Sequence, residues 1–268
     1  MSLDSARLDT ALDTARTTLL AERVAEGYWE GELSSSALST AVACAAMQHV
    51  QTATGTEEHG ALIQGGLHWL AQHANADGGW GDTTKSLSNI STTTLCWATF
   101  HAVPGALEEY AEVVAAAEQW LTKAAGGVTP DYLAPAIIAR YGKDRTFSVP
   151  ILTHCALAGK GRWTDVIQLP FELAALPRNW FAALRLPVVS YALPALIAIG
   201  QCRHQHRPSW NPFTRVLRNA AREKTLQVLE QIQPSNGGFL EATPLTSFVT
   251  MSLAGCGLAD HPVARKGI

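Results

Sequence analysis

At 268 residues, with 47% hydrophobic and only 16% charged side chains, the chain can bury a substantial core and carries little charge for a water-facing surface. Its net charge of -3, with no dominant basic face, argues against nucleic acid as a partner. Cys44, Cys96, Cys155, Cys202 and Cys256 show no CxxC and no ligand-like spacing to histidine, so they read as small buried hydrophobes in a reducing compartment, not as disulfides or zinc ligands.

The first sixteen residues carry Asp4, Asp9 and Asp13 and lack the apolar core of a secretion signal, so a cytoplasmic location is expected. Leu8, Leu12, Ala15, Leu19 and Val24 fall near helical spacing and predict a helix over 3–25. A turn follows, Glu26-Gly27-Tyr28-Trp29-Glu30-Gly31-Glu32, then Ser34 to Ser36 as caps for an alanine-rich helix over 37–50. A third helix is predicted over 61–74. It ends at Asp77-Gly78-Gly79-Trp80-Gly81-Asp82, and hydroxyl-rich residues 86–94 lead into a fourth helix over 89–103. Pro104-Gly105 stops that helix, and Gly126-Gly127 ends a fifth over 107–125.

The glycine–aromatic turn recurs as Asn236-Gly237-Gly238-Phe239-Leu240-Glu241. Trp29 and Trp80 are 51 residues apart, and Phe239 lies 159 beyond Trp80, close to three such periods. A repeat of that length with two helices per unit predicts stacked helix pairs. No run alternates for long enough to propose a sheet, so the chain reads as all-α.

Short helices are predicted over 132–140 and 148–157. Beyond them Pro170, Pro177, Pro187 and Pro194 interrupt a strongly apolar stretch containing Trp163, Phe171, Trp180, Phe181 and Tyr191. Residues 181–200 come nearest to a membrane span, but Arg185, Pro187 and Pro194 make a straight spanning helix a poor reading. With Arg203, His204, His206 and Arg207 alongside, the stretch is instead composed like an interfacial membrane contact. An amphipathic helix over 215–232, the third turn and a helix over 246–258 follow. Ala259-Asp260-His261-Pro262 then opens a last helix inside which the chain is expected to end, at Ile268.

These turns, in this order, resemble the glutamine-and-tryptophan repeats of the squalene–hopene cyclase family, the class II triterpene cyclases, over nearly the whole chain. Leu19-Leu20 with Gly27-Tyr28-Trp29-Glu30-Gly31-Glu32-Leu33 is similar to a first repeat, and Trp69-Leu70 with Asp77 to Gly81 to a second. Trp163 through Leu169-Pro170-Phe171-Glu172-Leu173 and Leu176-Pro177 resembles the proline-rich segment near the substrate cavity. Gln233 through Gly237-Gly238-Phe239, with Pro244 and His261-Pro262, resembles a later repeat. The resemblance implies an incomplete α/α toroid of stacked helix pairs: residues 1–33 as first helix and turn, 34–268 as an inserted repeat domain.

It also implies a squalene-like polyprenyl substrate, a peripheral contact with the inner face of the membrane, and neither cofactor nor metal. Trp29, Trp69, Trp80, Gln233 and Phe239 become structural repeat residues; Trp163, Phe171, Trp180, Phe181, Tyr191 and Pro244 become candidate cavity lining. Arg23 and Ala74 stand where the repeat glutamine is expected, which implies weaker stapling there. In the family the proton donor is the central aspartate of Asp-x-Asp-Asp. No aspartates here have that spacing, so no catalytic residue is assigned and a C-terminal cyclase half is the expected partner.

Plainer readings stand beside these. Trp29, Trp80 and Phe239 read as rings packed under helix ends before they read as π-faces for a cation. Asp77, Asp82, Glu26 and Glu32 read as caps and turn acids, and His154, His204 and His206 as solvated or capping groups. Trp163, Trp180, Phe181 and Tyr191 read as core packing or as a cavity wall. No phosphate loop, nucleophile elbow or metal set emerges. The competing functions are a non-catalytic isoprenoid- or membrane-binding module on the same scaffold, and a protein prenyltransferase β-like subunit, whose zinc ligands are not visible.

Overall fold

The computed structural model describes residues 4–30, 34–177 and 192–268. Trp180, Phe181, Tyr191 and Glu32 lie outside them. The described residues are helical, with a single isolated β-bridge between Arg23 and Trp29. The chain divides into a short unit, Met1–Ser35, and a large one, Ser36–Ile268.

In the short unit α1 spans Ser5–Ala21, capped by Asp4, whose carboxylate accepts the N–H of Ala6 at 3.1 Å. The predicted start at 3 and end at 25 move inward. Asp4 takes the cap, and Arg23 leaves the helix to pair with Trp29. No residue of α1 is buried.

The large unit contains α2 Ala37–Thr54, α3 Gly60–Gln72, α4 Ile90–Ala102, α5 Ala106–Glu109, α6 Ala111–Ala125, α7 Pro130–Tyr141 and α8 Ser148–Leu157. A 3-10 turn, Phe171–Ala175, comes next, followed by α9 Leu193–His206, α10 Pro212–Ile232, α11 Thr243–Gly255 and α12 Pro262–Lys266. Two kinds of helix alternate. In α4 every residue from Ser91 to Phe100 is buried, and the same holds from Ser148 to Ala156 in α8 and from Ser247 to Ala254 in α11. In contrast α3 buries only Ile63, Leu67 and Leu70, and α6 only Val114, Ala117 and Leu121, which are single stripes at helical spacing. The first kind forms an inner layer and the second an outer one.

The inner helices close into a ring. α2 packs on α4, α4 on α8, α8 on α11 and α11 back on α2, while α9 packs against both α8 and α11. Cys96 and Thr99 of α4 donate to the carbonyls of Ala37 and Ala41 on α2, so these neighbours run parallel. The helix pairs of residues 36–268 thus pack as an α/α toroid-type domain, in keeping with the sequence reading. Small side chains allow the closing contact, with Ala43 and Ala46 of α2 beside Thr246 and Ser247 of α11, and Val50 against Ala254.

Three further expectations change. The single helix over 107–125 is two, because Tyr110 leaves the helical region (φ -115, ψ 31) and its ring packs on Phe100 at 5.4 Å. Pro194 does not break a helix but starts α9, where its missing N–H has no partner to lose. The last helix closes at Lys266 with Gly267 as its cap.

Glycine is indispensable at Gly237. Its φ is +86, and a Cβ there would sit 1.8 Å from the carbonyl oxygen of Lys266. Gly105, at φ +80, has open space around it. Gly237→Ala is expected to lower stability by roughly 2–4 kcal/mol and Gly105→Ala by only about 1 kcal/mol, read from urea midpoints at constant m.

Candidate functional site

The three glycine–aromatic turns are built alike. Gly27, Gly78 and Gly237 occupy equivalent places with φ of +92, +85 and +86, which lets the helix end turn back sharply. Trp29 donates its indole N–H to the carbonyl of Leu19 at 2.5 Å, and Trp80 donates to Leu70 at 2.9 Å, each ten residues back. Phe239 has no such donor and is held by packing alone, 2% exposed, within the core formed by α9 to α12. In the second and third turns a hydroxyl from the next helix receives the aromatic residue's backbone N–H: Thr93 at 3.0 Å and Thr246 at 2.9 Å.

Gln233 donates to the carbonyls of Gly237 at 2.8 Å and Val263 at 3.0 Å, stapling the turn to α12. Arg23 makes the first of these bonds too, to Gly27 at 2.9 Å, with its guanidinium 5.6 Å from the centre of the Trp29 ring. Around Ala74 other groups take over. Asn75 donates to Ser86 and Ser88, and Asp77 accepts from Ser88 at 2.6 Å, from Gly79 at 3.1 Å and from the Trp120 indole at 3.0 Å. Arg23 thus keeps one of the two staple bonds in the first turn, and in the second turn other polar groups fasten the loop through different bonds.

The turn acids are acceptors. The hydroxyl of Ser88, with the backbone of Gly79 and the Trp120 indole, holds the Asp77 carboxyl below its ordinary range. Asp82 accepts from Asn89 at 2.9 Å and Thr92 at 2.5 Å, fixing the start of α4. An acid that protonates an alkene must stay protonated, and the surroundings of Asp77 favour the opposite state. Trp69, half-buried, stacks on His73 at 4.1 Å as a structural ring.

The described cavity candidates are not assembled at one place. Trp163 stacks on His206 at 4.2 Å with planes 6° apart. Phe171 is fully buried, its ring 6.0 Å from that of His204. Gly200 admits it, since a Cβ there would lie 2.9 Å from that of Phe171. His204 and His206 project from different sides of α9, so the two rings address different surfaces. Pro244 lies in the first turn of α11, next to residues Glu241, Thr243 and Thr246 that line an open groove of about 310 Å³ together with Met47, Asn236 and Lys266.

Of the three histidines read as solvated or capping, His206 is exposed with Nε2 2.7 Å from the Gly255 carbonyl, whereas His154 and His204 are buried. His154 is 1% exposed, its Nε2 3.3 Å from the Thr99 hydroxyl, and His204 is buried with Nε2 2.8 Å from the Asn219 side chain. Burial pushes His154 down to about 3, helped by the nearby His49, which burial pushes down to about 4. His49, one helical turn after buried Ala45, was missed by sequence reasoning. Among the described residues no three His, Cys, Asp or Glu side chains group as a metal site, and no helix is long and apolar enough to cross a membrane.

One surface stands apart. Trp210, Phe213, Val216 and Leu217, at and just before the start of α10, are 95%, 86%, 67% and 59% exposed. Arg207 and Arg215 are exposed nearby in the sequence.

A family model described as the squalene-hopene cyclase N-terminal domain matches residues 12–198. That span contains the first two turns, Trp163 and Phe171, and stops before the third turn. No curated protein matches the chain closely enough to stand as a relative.

Proposed function

Because the chain belongs to the squalene–hopene cyclase family through its N-terminal domain, we propose that it is the N-terminal half of a squalene–hopene-type cyclase. It supplies helical scaffold and part of the wall around a squalene-like polyprenyl chain, and leaves alkene protonation to a C-terminal half. The observation that carries this reading is the state of its acids. No aspartates have the Asp-x-Asp-Asp spacing, and Asp77 in the best-formed turn is held ionised by its donors. Trp163, Phe171 and Pro244, with Trp180, Phe181 and Tyr191, are the proposed wall residues. Their role is to exclude water and shape the chain, which apolar and aromatic side chains do without titrating.

A second reading, an isoprenoid- or membrane-binding module without chemistry, is favoured by the exposed Trp210–Phe213–Val216–Leu217 stripe beside cationic side chains. On either reading a peripheral contact with the cytoplasmic face of the membrane is part of the proposal.

One experiment separates the two. The purified chain incubated with squalene should yield no cyclised product, and adding a C-terminal half that carries Asp-x-Asp-Asp should restore product. Turnover by the isolated chain would overturn the first reading. Failure to complement, with retained sedimentation on phospholipid vesicles, would select the second.

A further inference from the structure

Gln201 and Gln233 staple helices and turns, and the side-chain oxygen each has left over is buried. Gln48 and Gln51, near the end of α2, are arranged differently. They are only 9% and 8% exposed, yet both line an open pocket of about 390 Å³ between the ends of α2 and α4 and the start of α3.

Gly55 ends α2 at φ +71, and Gln51 Oε1 then accepts the backbone N–H of His59 at 2.6 Å, which closes the loop before α3. A backbone N–H needs an oxygen opposite it, so this bond fixes which way round the Gln51 amide stands. Its amino group is left without a hydrogen bond among the described residues and open to the pocket. Gln48 donates to the Thr52 hydroxyl at 3.1 Å and leaves its own side-chain oxygen unbonded. Two amides that are nine-tenths buried thus offer the pocket a donor pair and an acceptor, and a buried polar group without a partner is costly.

The rest of the lining narrows what those groups can hold. Gln64 adds a third amide, and Ile63, Val103 and Pro104 give an apolar side. Among the described lining residues Glu57 alone is charged, and there is no Lys, Arg or His. The pocket also sits at the C-terminal ends of α2 and α4, where the helix dipole is negative. An anion would meet that field and Glu57 without a counter-charge. A cation would leave the Gln51 amino group unpaired, because it has nothing to accept with. A hydroxyl both donates and accepts, so neighbouring hydroxyls satisfy both amides at once. The volume lies at the small end of ligand pockets, roughly 300–1,000 Å³.

We propose that this pocket binds an uncharged polyhydroxyl compound of monosaccharide size, its hydroxyls paired with Gln48 and Gln51 and its C–H face against Ile63, Val103 and Pro104. The inference does not depend on the cyclase reading.

The test titrates glucose, inorganic phosphate and choline into the isotope-labelled full chain and follows the glutamine side-chain amide signals by NMR. Glucose should shift the Gln48 and Gln51 signals along a saturating curve, with phosphate and choline leaving them in place. Gln51→Glu keeps an oxygen for the His59 N–H but exchanges the amino group for a second oxygen, so glucose affinity should fall about tenfold in a chain that stays folded. Gln48→Leu removes the other partner and should weaken binding similarly; it decides the matter if Gln51→Glu does not fold. A shift that never saturates, unchanged affinity in either folded variant, or a stronger response to phosphate or choline would each overturn the proposal.

Discussion

Trp80→Ala should lower the unfolding free energy of residues 36–268 by roughly 3–5 kcal/mol, the range for removing a fully buried aromatic side chain. Trp80 is 0% exposed, its ring lies 6.3 Å from that of Phe100, and its indole N–H satisfies the carbonyl of Leu70. The substitution therefore removes apolar area, opens a cavity at the junction of α3 and α4, and leaves a buried carbonyl without its donor. Trp80→Phe separates these effects, since it keeps most of the ring and loses only the bond, an expected loss of about 1–2 kcal/mol. Leu87→Ala, at a side chain 90% exposed, should stay within about 0.5 kcal/mol of the parent. Urea unfolding of the three variants checks the order, and equal losses for Trp80→Ala and Leu87→Ala would contradict the clasp role.

Stability should also fall steeply between pH 7 and pH 5. His49 and His154 are held neutral by burial, at about 4 and about 3 against an ordinary 6.5. The unfolded chain takes up protons on these rings below pH 6.5 while the folded chain refuses them. The folded state is thus fully favoured above 6.5 and loses ground as pH drops toward the folded values. By pH 5 each ring contributes a loss of about 2 kcal/mol, before most carboxylates begin to protonate. His101 and His204 are shifted in the same direction, first by burial, and add to the slope. His154→Gln, which cannot titrate, should flatten the dependence by about one proton. A urea midpoint that does not change between pH 7 and pH 5 would show that these rings are hydrated in the folded protein.

Much of this architecture was legible beforehand because it is local. A left-handed glycine at the end of a helix, an aromatic two residues later and a hydroxyl before the next helix are short-range requirements, and they located Gly78, Trp80 and Thr93 without tertiary knowledge. Helix starts were equally accessible where a cap is a single side chain, as Ser36 on Ser39 and Asn89 on Thr92. Burial of histidine was not, because His154 sits in an apolar helix where one polar residue is compatible with either face. Only the ring of α2, α4 and α8 around it places it inside.

The sequence by itself determined the all-α class, the repeat of helix pairs and the three clasps, since each follows from periodicity and turn chemistry within a few dozen residues, and its turn motifs carried the resemblance to the family. The tertiary structure alone decided that α11 packs back on α2, that Arg23 makes one bond of the missing first glutamine, and that Asp77 fastens the second turn as an acceptor. Those are contacts between residues distant in the chain or between interchangeable donors. Their geometry depends on how small side chains let whole helices approach, which no local pattern encodes.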